Sequence, residues 1–158
     1  MRRRDPIAVV IEAIDRAYNR PSWHGTNLKG SIRGVSFRAA AKRPARGRHN
    51  IWELVVHAAY WKYTVHRRLT GQKRGSFPLR GSDFFKRPVV MTERAWRDDI
   101  ALLDRMHRGL RAAIAALPPA QLQRNARGSR VTHAFLIHGI VAHDLYHAGQ
   151  IQLIKKLI

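Results

Sequence analysis

The sequence predicts an all-α fold, a four-helix bundle with a long crossover between the second and third helices. Apolar residues recur at alternating steps of four and three in three long segments, the spacing of side chains that pack into the middle of a bundle. Gly and Pro punctuation falls between the segments and not inside them. No stretch alternates apolar and polar residues as a half-buried strand does.

Each element has its own signal. Asp5-Pro6 opens the first helix (5–19), with Asp as N-cap and Pro at the first helical position. Val9/Val10, Ile14 and Ala17/Tyr18 follow at helical spacing, and Pro21 stops it. Residues 22–34 carry three glycines and read as loop. Ser36 caps a short turn through Ala41, before Pro44. Asn50, with Glu53 three places on, is close to a capping box and starts the second helix (50–70), which Gly71 is placed to end. Its seam is Leu54, His57/Ala58, Trp61, Val65 and Leu69. The third helix (92–117) carries Trp96, Ile100, Leu103, His107, Leu110, Ile114 and Leu117 and ends before Pro118-Pro119. A basic loop leads to the last helix (131–157), with seam Leu136, Ile140, His143, His147, Gln150 and Ile154. The connection 72–91 is long for antiparallel neighbours. At ~3.3 Å per residue it can return along a helix of ~30 Å. That fits a second and third helix running parallel.

The 158 residues are expected to form one domain, 1–158, and 45% hydrophobic residues suffice for a core. No apolar run approaches the ~18–20 residues of a membrane span, so no membrane partner is expected. The N-terminus is basic, but Glu12 and Asp15 interrupt its apolar part. It reads as a capped helix and not as a signal peptide, which makes the cytoplasm the expected compartment. The chain has no cysteine, which excludes disulfides, thiolate metal ligands and a thiol nucleophile of its own.

Thirty Lys and Arg against ten Asp and Glu give a net charge of +20. Such a surface attracts polyanions and anionic small molecules. The basic residues gather in 42–49, 69–88 and 124–130, all expected loops, without a nucleic-acid-binding motif.

Of nine histidines, His49, His66 and His133 fall near helix ends or on polar faces and are expected in solvent. His138 lies between seam positions. His57, His107, His143 and His147 fall on or beside the inward stripe. A buried imidazole must have its nitrogens satisfied. One divalent cation satisfies several at once. His143 and His147, at i and i+4, lie on one helical face and can reach a single metal, and the second helix points His57 at the same core. Three histidines with an open position are the ligand set of a catalytic zinc site. No HExxH motif supplies a glutamate base. Asp144 follows His143 and points ~100° away, toward a neighbouring helix or a histidine's far nitrogen. Tyr146 and Gln150 are candidate ligand contacts, and His107 is a candidate fourth ligand.

NIWELVVHAAYWKYTVHRRLTG, followed by GIVAHDLYHAGQIQLIKKL, resembles the DinB/YfiT-like superfamily of metal-binding helical bundles. PSWHGTNLKGSIRGVSFRAAAKRP is similar to the segment between the first and second long helices of its members, and the resemblance covers nearly the whole chain. It implies an up-down-down-up bundle, zinc or nickel held by residues matching His57, His143 and His147, and frequent homodimers. It also implies, for some members, thiol-dependent enzymes such as mycothiol-dependent maleylpyruvate isomerase and bacillithiol S-transferases. In such proteins the segment with His24 runs near the bundle mouth, making His24 a candidate substrate contact. The resulting expectation is a metal-dependent transferase or isomerase that acts on an anionic small molecule with an external low-molecular-weight thiol. The alternatives are a basic nucleic-acid or polyanion-binding module with structural histidines, and a metal-stabilised bundle without catalysis.

Overall fold

The structure is a computed structural model that describes residues 5–158, so the basic residues 2–4 at the start of the sequence lie outside the described residues. Six α-helices are present among the described residues and no strands: α1 (Pro6–Tyr18), α2 (Leu28–Ile32), α3 (Phe37–Ala41), α4 (Ile51–Thr70), α5 (Glu93–Ala115) and α6 (His133–Leu157). The four long ones, α1, α4, α5 and α6, pack together. No helix is long and apolar enough to cross a membrane among the described residues.

Local chemistry sets the boundaries. Asp5 Oδ1 accepts from Ile7 N at 2.9 Å, with Pro6 at the first turn of α1. Asn50 and Glu53 form a complete capping box on α4. The Asn50 amide also donates to the carbonyls of Ala41 and Arg87, at 3.3 and 2.9 Å. One residue thus caps α4 and ties down both α3 and the connection before α5. Gly71 ends α4 at φ +73°, a left-handed conformation that favours glycine. Thr92 and Thr132 cap α5 and α6. Ser36 caps α3, the short turn expected there. Residues 28–32, expected as loop, form α2: Asn27 caps it by accepting from Gly30 N at 2.8 Å, and Leu28 and Ile32 are buried. Gly30 masked this helix in the sequence. Burial of two apolar side chains outweighs the ~1 kcal/mol helix penalty of one glycine.

Helix α4 is the central element, and residues 51–60 are buried all round. Against α5, Trp52 meets Trp96 near the helix starts, ring centroids 5.1 Å apart, and His66 lies against Gly109 near the ends. Against α6, Lys62 pairs with Asp144, and Leu54 lines the same cavity as Ile154. Between α1 and α5, Arg111 donates to both Asp15 carboxylate oxygens at 2.6 and 2.9 Å, and the Tyr18 hydroxyl donates to Asp104.

The apolar core falls into two clusters. One gathers Leu28, Trp52, Leu103 and Ile151, the other Ile14, Val65, Leu110, Ile114 and Ile140. A polar layer runs between them. Lys62 and Asp144 are 0% and 2% exposed and bonded to each other. The Lys62 ammonium also sits 4.8 Å from the Tyr18 ring centroid, and Tyr18 stacks on His107 at 3.6 Å. Burial pushes the Lys62 pKa down and the Asp144 pKa up, and their mutual attraction opposes both shifts. His133, expected in solvent, is buried, with Nδ1 donating to Gln121 O at 2.8 Å.

Removing one partner of a buried pair strands the other. Lys62→Met is expected to destabilise the protein by about 3–5 kcal/mol in denaturant titrations, and Lys62→Met with Asp144→Leu to recover most of that loss. Equal losses in the single and double variants would show that shape, not charge, sets the cost.

Candidate metal centre

His57 comes from the middle of α4, and His143 and His147 from one face of α6, one turn apart. Their candidate ligand atoms all lie within 4.8 Å of one another, so the three could hold a metal ion. His57 Nε2 is 3.0 Å from His143 Nε2, and His147 Nε2 is also 3.0 Å from it. His57 and His147 are buried and His143 half-buried.

The far nitrogens decide which atoms face inward. His57 Nδ1 donates to the Asp83 carbonyl at 3.0 Å, and His147 Nδ1 donates to Gln150 Oε1 at 2.6 Å. Each neutral ring therefore presents an Nε2 lone pair toward His143. His143 Nε2 can carry only one hydrogen, so at least one of its two close contacts sets lone pair against lone pair. Its Nδ1 is buried without a protein partner. A cation among the three Nε2 atoms removes that conflict, and neutral imidazole is a good donor to divalent transition metals. The residues present fit such an ion.

Burial keeps the rings neutral. It pushes His143 down to about 3, helped by the repulsion its protonated form would meet from protonated His147 and His57, and His147 down to about 4. It also lowers His57, against the opposing pull of Asp83.

The connection between α4 and α5 builds one wall of the site. Phe84 stacks on His57 at 3.9 Å and on His49 at 3.7 Å. Asp83, at φ +66°, turns its carbonyl to His57, and its Oδ1 accepts from Trp61 Nε1 at 2.8 Å. Neither residue stands out in the sequence. Asp83 orients His57 through its backbone, which any residue has, although Asp tolerates the left-handed conformation well.

The cluster opens into a cavity of about 750 Å³. Leu54, Trp61, Phe84 and Ile154 line it, with the exposed side chains of Arg48, Tyr146, Leu153 and Leu157. Arg48 is its only Lys or Arg.

The other candidate residues divide. Gln150 orients His147. Tyr146 packs edge-on against His147 and lines the cavity. Asp144 turns away from the cluster to Lys62. His107 lies outside the cluster, on Tyr18, with burial pushing it down to about 3. His24 is exposed in the loop before α2 and does not line the cavity.

No curated protein and no solved structure matches the chain. The model of the DinB superfamily matches residues 22–151, most of the sequence, and the chain therefore belongs to that superfamily.

Proposed function

We propose that this chain binds one divalent metal ion, zinc or nickel, through His57, His143 and His147, and uses it in a transferase or isomerase reaction with an external low-molecular-weight thiol. The observation that carries the reading is the convergence of three histidine Nε2 atoms, those of His57 and His147 each 3.0 Å from that of His143, beside a cavity. When bound, such a cation stabilises a thiolate near neutral pH. The chain has no cysteine, so that thiol comes from a small molecule.

The chain's own residues have definite tasks in this reading. The Asp83 carbonyl and Gln150 Oε1 fix ring orientation and tautomer at His57 and His147. Leu54, Ile154 and Phe84 cover an apolar substrate body and exclude water, while Arg48 offers one cation for an anionic group. The long helices are read as up-down-down-up. This is supported by the Trp52–Trp96 and His66–Gly109 contacts for a parallel α4 and α5, by Asp15–Arg111 with Tyr18–Asp104 for an antiparallel α1 and α5, and by Lys62–Asp144 with Leu54 beside Ile154 for an antiparallel α4 and α6.

Three measurements test the proposal. Untagged protein is expected to carry about one zinc or nickel per chain, and His143→Ala to lose it while keeping its helical circular dichroism; unchanged metal content overturns the ligand assignment. N-acetylcysteine added to the cobalt-loaded protein is expected to give a sulfur-to-cobalt charge-transfer band, and silence at saturating thiol rules out the thiol step. Ligands must be neutral to bind. With His143 and His147 lowered to about 3 and 4, protons compete with the metal only at low pH. Metal affinity is therefore expected to fall away at lower pH than at a site of ordinary histidines of pKa about 6.5. A steep loss below pH 6.5 contradicts the buried geometry.

A further inference from the structure

The metal reading leaves the charge of the chain unused. The cavity is lined by a single Arg, while the net charge is +20. The surplus has a location. Residues 54–82 and 105–143 contain twelve Lys or Arg and no Asp or Glu. These segments are most of α4 with the loop after it, the second half of α5 with its loop, and the first half of α6.

They meet at one end of the bundle. The Gly71 backbone lies against the Arg127 side chain, with Cδ 3.5 Å from the position a Cβ would take. Arg68 lines a groove with Phe135 that also reaches Trp61 and His143. Lys73, Arg124 and Arg130 lie in the loops that meet there, Arg74 lines a groove with Tyr60 and Tyr63, and neither these four nor Arg68 and Arg127 form an ion pair among the described residues. Arg67, ten residues beyond His57, is about 15 Å further along α4. Most of the cationic end therefore lies beyond the cavity mouth, and the Arg68 groove links the two through Trp61 and His143.

We propose that this end of the bundle, built by segments of α4, α5 and α6 that hold no acidic residue, binds the phosphate backbone of nucleic acid. Unpaired cations attract a polyanion strongly because binding releases its condensed counterions. Between the cations stand exposed Gln72, Gln123 and Asn125, side chains that donate to phosphate oxygens. An anionic lipid surface fits less well. Phe135 is the only exposed large apolar side chain in the two segments, where membrane attachment calls for several. Beside Arg68, that ring instead offers one face for a base to stack on.

The test uses the full chain and labelled single-stranded DNA, RNA and duplex DNA, with binding followed by anisotropy from about 50 to 200 mM salt. Binding is expected with a log–log salt slope of about −4 to −5, corresponding to about six phosphate contacts. The variant Lys73→Glu/Arg74→Glu/Arg127→Glu is expected to bind at least about tenfold more weakly. A control with the same charge change at exposed positions elsewhere, Arg33→Glu/Lys42→Glu/Arg46→Glu, stays within about threefold. Arg127→Ala alone, which leaves the loop uncharged at one position, lowers the slope by about one and keeps the test open if the triple variant loses helical circular dichroism. Absence of binding at low salt overturns the proposal, as does equal weakening by both triple variants, or capture by phosphatidylserine vesicles in place of oligonucleotides. Metal content is measured in parallel, so failure here is distinguishable from failure at the histidines.

Discussion

The Lys62–Asp144 pair is the constraint on which the rest of the structure depends. Apolar clusters above and below it tolerate small slides and rotations of a helix, because hydrophobic burial is non-directional. Two buried charges do not, since each is costly in the interior unless the other meets it at bonding distance. The pair therefore sets both the axial position and the rotation of α6 against α4. Asp144 turned to Lys62 leaves His143 and His147 on the adjoining face of α6, where His57 comes from α4. The histidine cluster is in this sense a consequence of a salt bridge next to it.

Much of this was legible in the sequence for a plain reason. Helix seams are periodic, and His57, His143 and His147 occupy seam positions that bundle geometry must turn inward. Capping residues Asp5 and Asn50 marked the starts of α1 and α4 because they are chemically specific. What was not legible depends on contacts between distant segments. Helix α2 carries a glycine and is held by its burial. His133 looked like a helix-end residue until the Gln121 carbonyl covered it. Lys62 lies off the counted seam and would pass for a solvent residue; only Asp144, 82 positions away, makes its burial tolerable. His107 showed the same seam signal as the ligand candidates, and periodicity cannot tell that it stacks on Tyr18 at a different place in the layer.

The connection between α4 and α5 looks in sequence like a spacer, long enough for a helix-length return and rich in turn residues. In the structure it has a second task. Gly75 N donates to the Tyr63 hydroxyl at 3.1 Å, Asn50 holds the Arg87 carbonyl, and between these anchors Asp83 and Phe84 face His57. A connection whose middle touches the site while its ends are pinned supplies a rigid wall without a helix.

A cation bridging His57 and His143 would also join parts of the chain separated by 86 residues. In a protein without cysteine, that bond would take the place of a covalent staple. By the loop-entropy scaling used for disulfides, a closure of that length restricts the unfolded chain by about 4–5 kcal/mol. The ion would thus act as a removable cross-link, and its loss would return that freedom to the unfolded chain.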